Sequence, residues 1–361
     1  MKRLALSIII LLVIQTTAMS QGKTVSFEWS LLNKIPDSIG FAGSFVGVAN
    51  DVLIVAGGSN FPDGGAPWSG SKKVWYNKIF ILKSPSSNWE EAGLLPHSLG
   101  YGTSVSTSKG LVIIGGSNET GHSADVLLLK YKEDKIQIDT LPSLPFPLAN
   151  SCGALVGQTI YVAGGILSPA SKETEKVFLS LNLNKLEKGW TSLPTWSGES
   201  RMLAIAASSK KNFYLFSGAE LENGHRHYLK DAYCFNDKTG WKKLKDLPSA
   251  VVAAPSPAYT FNDGIFLFGG DDGTLADSNL KEMHPGFSSK ILCYKEVDDE
   301  WTVAGEILTD KHVDSVKKPN ESIWAPVTTT LAFWHNRIIL AGGEVRPATR
   351  TPNVLSAIIK H

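Results

Sequence analysis

Ile338-Ile339-Leu340-Ala341-Gly342-Gly343 decides the fold, because the same device recurs five more times along the chain. The run from Ile338 to Ala341 is short, apolar and rich in β-branched residues, so it reads as a buried strand. Two glycines end it and let the backbone turn where a side chain would clash. Equivalent units occupy 52–58, 111–116, 160–165, 213–218 and 265–270. Their closing glycines follow one another at steps of 58, 49, 53, 52 and 73 residues.

A period near fifty residues, with a glycine pair after an apolar strand (Ser217-Gly218 in the fourth unit), is the signature of kelch repeats, each one blade of a β-propeller. The rest of each unit agrees. A polar loop leads to a third strand at 78–82, 124–129, 177–181, 232–235 and 290–294. A tryptophan and a Leu-Pro step mark the fourth: Trp89 with Leu95-Pro96, Trp190 with Leu193-Pro194, Trp241 with Leu247-Pro248. Trp301 repeats the aromatic alone, and Ile138 with Leu141-Pro142 repeats the proline alone. Small residues at 204–208 and 327–333 suit inner strands converging on an axis. The last unit stops after 354–359, one strand short, while Val25-Ser26-Phe27-Glu28-Trp29 with Ile35-Pro36 carries the fourth-strand pattern. The sequence therefore predicts an all-β, six-bladed kelch-type propeller over 21–361, closed by an N-terminal strand that completes the last blade. Closure removes exposed sheet edges. The segments 59–77, 271–289 and 309–322 are insertions within it.

The chain opens with Met1-Lys2-Arg3, an apolar run to Ile14 and the small residues Thr16, Thr17, Ala18 and Ser20. That predicts a signal peptide over 1–20 and an exported protein, periplasmic in a Gram-negative host, with no membrane span once the signal is removed. A net charge of +1 without basic runs argues against nucleic acid as a partner. Cys152, Cys234 and Cys293 are too few and too scattered for a disulfide framework and read as small core residues, with a single disulfide left open.

In every blade the second strand runs the same way, so all six post-glycine loops open on one face. The connection from each fourth strand to the next inner strand reaches that face too. It gathers 60–73, 119–122, 220–227, Asp271-Asp272 and 344–350, with Asn150, Arg201 and Trp324 from the connections. Glu344 and Arg350 are a carboxylate and a guanidinium on one loop, able to serve as a base and an anion clamp. The stretch from Glu220 to His227 contains a turn at Asn223-Gly224 and reads as a solvated loop rather than a metal site. Asp271-Asp272-Gly273 lacks the further oxygens of a calcium loop. No metal site is expected.

Six such units, the leader and the loop Gly343-Glu344-Val345-Arg346-Pro347-Ala348-Thr349-Arg350-Thr351 resemble the exported N-acetylneuraminate epimerases, also called sialic acid mutarotases. The order resembles a cyclically permuted branch, since the glutamate-bearing blade is last here and its successor, with Ser59-Asn60-Phe61, is first. The resemblance implies interconversion of the α and β anomers of N-acetylneuraminic acid through the open-chain form, without a cofactor. It implies Glu344 as the base and Arg350 beside it, and makes Arg201, Asn60, Lys72 and Trp324 the candidate substrate-binding residues. The partner is then a small sugar acid; the acyl sugar, the proton donor and the oligomeric state stay open. Two other readings remain: a propeller that binds a glycan or protein without turnover, and a glycan hydrolase pairing Glu344 with Glu119, Glu199 or Asp272.

Overall fold

The computed structural model describes residues 25–360, so the leader expected at 1–20 lies outside the described residues. Six four-stranded antiparallel sheets stand around one axis. The first blade is Phe45–Ala49, Val52–Ala56, Lys78–Leu82 and Glu90–Leu94 from axis to rim, and the next four follow in chain order. The sixth is Leu331–Trp334, Arg337–Ala341 and Val354–Lys360, with Ser26–Leu32 as its outer strand. That outer strand pairs from Ser26 opposite Lys360 to Leu32 opposite Val354, three residues further than its sequence pattern indicates.

Alternating strand residues pack between blades, so each sheet buries both faces against its neighbours. Leu53, Val55 and Phe80 of the first blade share a cluster with Ala332, Trp334 and Ile339 of the sixth. The recurring tryptophan has a second role at the rim. Trp29, Trp89, Trp190, Trp241 and Trp301 each donate an indole N–H to a main-chain oxygen of the preceding blade or its exit: Glu306, Asn33, Pro142, Pro194 and Lys245, at 2.7–2.9 Å. The second blade has Ile138 there and forgoes the bond. Trp241→Phe keeps an aromatic ring among Phe178, Phe213 and Phe235 but drops the bond to Pro194. We expect a loss of about 0.5–1.5 kcal/mol, read as a lower urea midpoint; an unchanged midpoint would contradict the rim-bond account.

The axis is closed by a ring of main-chain bonds. Tyr101 N donates to Gly43 O, Asn150 to Tyr101, Leu203 to Asn150, Ala253 to Leu203, Thr328 to Ala253 and Gly43 to Thr328, all at 2.7–2.8 Å. One residue comes from each blade, and all six have positive φ, between 50° and 69°. Five are not glycine, and left-handed backbone costs each about 1–2 kcal/mol. The ring also corrects the expected inner strand at 327–333: it starts only at Leu331, because Val327 and Thr328 are engaged at the axis. All three cysteines are free. Burial pushes the Cys152 thiol up to about 12 and the Cys234 thiol to about 11, so neither is a reactive thiolate.

Candidate functional site

The six-fold repeat fixes where side chains can meet. Next to each ring residue, the preceding residue forms an isolated antiparallel bridge with the first residue past the glycine pair. The bridges are Ala42 with Ser59, Gly100 with Ser117, Ala149 with Ile166, Met202 with Ala219, Val252 with Asp271, and Val327 with Glu344. This places the post-glycine loops and the interblade connections on one face, as the strand directions require. Six equivalent positions surround the axis, and they hold Ser59, Ser117, Ile166, Ala219, Asp271 and Glu344. Only the last two are acidic.

Above the ring lies a cavity of about 490 Å³. Its wall includes Phe61, Lys73, Trp75, Tyr101, His122, Asn150, Arg226, Asp271, Glu344 and Arg350. Below the ring the axis narrows to a shaft of about 70 Å³ lined mostly by glycine, alanine, serine and threonine. Tyr101, Asn150, Leu203, Ala253 and Thr328 border both spaces, so the ring is the cavity floor.

Glu344 and Arg350 owe their meeting to a short hairpin. Glu344–Arg346 pairs with Thr349–Arg350 around Pro347 and Ala348, and Ala348 has φ of 62°. Glu344 stands directly opposite Arg350 in the register, and opposed residues project to the same face. The Glu344 carboxylate accepts the Ala348 N–H at 2.8 Å and lies 3.8 Å from Arg350 Nη1. Arg350 Nη2 donates to the Tyr101 hydroxyl at 3.2 Å, and its guanidinium lies 4.8 Å from the Phe61 ring centre. Burial works against the Arg350 charge, but Glu344 and Tyr101 outweigh it, and the pKa rises above the ordinary guanidinium value. Arg350 Nε and Nη1 are buried without a hydrogen-bond partner among the described residues. Each such donor costs about 1–3 kcal/mol, which favours an anion at this wall.

Tyr101 is held as firmly. Its ring lies on Gly43, where a β-carbon would come within 2.7 Å of it. The Lys73 ammonium sits 5.1 Å from the Tyr101 ring centre and 5.5 Å from that of Trp75. Across the cavity, Asp271 accepts the Tyr228 hydroxyl at 2.8 Å and the Gly273 N–H at 3.0 Å. Burial holds the His122 imidazole below its ordinary pKa, so it is neutral at neutral pH.

Four sequence candidates do not join this group. Arg201 is fully buried, with two bonds to the Asp231 carboxylate at 2.7 and 2.8 Å and others to the Glu199 and Ser217 carbonyls. Asn60 is 1% exposed and braces the insertion, donating to Gly40 O and accepting the Tyr76 hydroxyl. Lys72 is exposed away from the cavity wall, and its neighbour Lys73 occupies the wall instead. Trp324 is buried between Lys311 and Arg346 and donates to Pro319 O. Side-chain direction, which residue type does not encode, sends Arg201, Asn60 and Trp324 into the scaffold and Lys72 out to solvent. Lys73 and Asp271 were placed on this face but not named as site residues, and Tyr101 was missed. Aligning the six repeats on their glycine pairs would have found Tyr101 and Asp271, since their offsets fall in register with Thr328 and Glu344.

The proposed hydrolase partners are also absent from the cavity wall. Glu119 is exposed in a shallow outer groove, Glu199 contributes a carbonyl to Arg201, and Asp272 accepts from the Thr274 main chain. Among the described residues no cluster of three or more potential metal ligands occurs, and no helix is long and apolar enough to cross a membrane. The histidines of the fourth blade sit on an exposed hairpin, Ala219–Glu222 with His225–Tyr228.

The model of the N-acetylneuraminate epimerase family matches residues 12–138 and 141–361. An N-acetylneuraminate epimerase of Yersinia enterocolitica is 31% identical over 144 residues, covering 35% of this chain and 36% of that relative. One from Haemophilus influenzae is 28% identical over 142 residues, with 35% and 37% covered. A kelch domain-containing protein of Vibrio cholerae is 26% identical over 239 residues, with 60% and 63% covered. The alignments thus span little more than a third of the two epimerases and under two thirds of the kelch protein.

Proposed function

This chain belongs to the N-acetylneuraminate epimerase family, and we propose that it interconverts the α and β anomers of N-acetylneuraminic acid at the Glu344 wall of the cavity. The observation that carries this reading is the Glu344–Arg350 pair, opposed in one hairpin and bordering the cavity, with two guanidinium donors unpartnered. Anomer exchange needs a base at the anomeric hydroxyl, an acid at the ring oxygen and a cation for the sugar's carboxylate. Glu344 is the base, and it removes the hydroxyl proton as the bond from the anomeric carbon to the ring oxygen breaks. The open-chain ketone then turns its other face, and the same groups act in reverse. Arg350 takes the carboxylate, with Lys73 as the second cation on that side of the cavity. The leader at 1–20 is read with this function as an export signal, which puts the enzyme where free sialic acid enters the cell envelope.

Substrate charge tests the assignment. A guanidinium meets a carboxylate through a planar fork, whereas lysine offers only a point charge. Arg350→Lys should lower kcat/KM for sialic acid about ten- to a hundredfold, the loss of about 1.5–3 kcal/mol from a charge-assisted bond. Glucose and galactose should mutarotate slowly with the unaltered protein and be indifferent to the change. Efficient aldose turnover would contradict the carboxylate clamp.

A further inference from the structure

We propose that Tyr101 is the acid that protonates the sugar's ring oxygen, an inference that rests on the epimerase reading and supplies the proton donor it lacks. In a sialic acid the anomeric carbon carries three oxygen functions: a hydroxyl, a ring oxygen and a carboxylate. An aldose carries only the first two. The cavity wall presents three linked groups: the Glu344 carboxylate 3.8 Å from Arg350 Nη1, the Arg350 guanidinium, and the Tyr101 hydroxyl 3.2 Å from Arg350 Nη2. With the carboxylate on the central guanidinium, the hydroxyl falls to Glu344 and the ring oxygen to Tyr101.

The phenol is suited to this by its bonds. Its oxygen accepts from Arg350 and, at 3.4 Å, from the Ser59 hydroxyl. Both contacts supply protons to that oxygen, which leaves the phenol's own proton to donate into the cavity. The charged groups around it are Arg350, Lys73 near its ring at 5.1 Å and, beyond the guanidinium, Glu344.

The step balances. Glu344 gains the hydroxyl proton, the electrons of the broken O–H bond form the carbonyl π bond, the bond from the anomeric carbon to the ring oxygen breaks with its electrons going to that oxygen, and the ring oxygen takes the Tyr101 proton. Arg350 then lies beside a phenolate instead of a carboxylate, so its positive charge is countered throughout. On closure the phenolate recovers its proton from the attacking hydroxyl, and protonated Glu344 returns its own to the carbonyl oxygen. Tyr101 is fixed at this wall: its backbone is bonded into the axial ring on both sides and its ring is seated on Gly43.

Tyr101→Phe should lower kcat for anomer exchange about 10²–10⁴-fold, with KM within a few-fold of the parent. A purely structural loss would do the same if Phe let Arg350 drift, so a second variant separates the cases. Replacing Tyr101 alone with 3-fluorotyrosine and then 3,5-difluorotyrosine makes the phenol progressively more acidic at little cost in shape. The alkaline limb of the kcat–pH profile should move to lower pH in step with fluorination. If Tyr101→Phe keeps the parent kcat, or the limb stays still across the fluorinated series, Tyr101 is not the acid. Failure of the unaltered protein to exchange anomers while it binds the sugar would overturn the epimerase reading and the acid assignment together. Survival of exchange in Tyr101→Phe would overturn only the latter.

Discussion

Glu344→Gln should abolish anomer exchange and leave a folded propeller that still binds the sugar. The amide keeps an oxygen to accept the Ala348 N–H, now made at 2.8 Å, so the turn at Pro347-Ala348 survives. It has no basicity to take the hydroxyl proton, and a positioned base contributes about 10²–10⁴ in rate. The stability change is larger than for a carboxylate on a solvated loop, because the Glu344 and Arg350 side chains are only 19% and 3% exposed. Removing one partner leaves a buried guanidinium, and a cost of about 1–3 kcal/mol follows. That is a minor fraction of the 5–15 kcal/mol typical of a domain. The check is threefold: thermal unfolding, equilibrium binding of sialic acid, and the exchange rate. A variant that binds and still exchanges at the parent rate removes Glu344 from the mechanism.

Deleting residues 25–32 should have the largest effect on the fold. Among the described residues Ser26–Leu32 is the only strand brought from the far end of the chain, and it pairs with Val354–Lys360 along its whole length. Its aromatic side chains also bind the neighbouring blade. Phe27 packs edge-on against Phe266 and Phe268 at 5.5 and 5.2 Å, and Trp29 donates to Glu306 O. Both side chains are half-buried, so losing their burial costs only part of the about 1.5–3 kcal/mol of a fully buried side chain each, before the lost strand pairing. The truncation also bares the edge of Val354–Lys360, and an open edge invites association with another chain. The truncated protein should be insoluble or aggregated where the full chain is not. A soluble truncated protein with the parent unfolding midpoint would contradict closure by this strand.

Much of the fold was legible because it is periodic. Six apolar strands, five ended by a glycine pair and one by Ser217-Gly218, announce six blades, and Trp29 at one end with a short last unit at the other announces the closing strand. The boundaries were less legible where a tertiary feature overrides local pattern. The inner strand of the sixth blade looked continuous from Val327, yet the axial ring claims Thr328 and delays the strand to Leu331. That Glu344 and Arg350 share one loop was legible, but their apposition was not: a regular two-residue turn at Pro347-Ala348 would set Val345 against Arg350, and a bulge brings Glu344 there instead. Arg201 was misleading because a fork of donors suits an internal Asp231 as well as a ligand, and sequence does not say which carboxylate is nearer. Tyr101 escaped notice because an isolated tyrosine after Leu99-Gly100 carries no local sign of its left-handed backbone or its contact with a residue 249 positions away.

The central claim is catalysis of anomer exchange by the Glu344 wall, and a proton NMR time course tests it most directly. The α anomer of N-acetylneuraminic acid, freshly released in buffer at neutral pH, relaxes toward the β form at a slow intrinsic rate. Catalytic amounts of the protein should hasten that relaxation in proportion to their concentration, leave the final anomer ratio unchanged and lose the effect with Glu344→Gln. Relaxation at the intrinsic rate in the presence of protein that demonstrably binds the sugar would contradict the account and leave a binding propeller in its place.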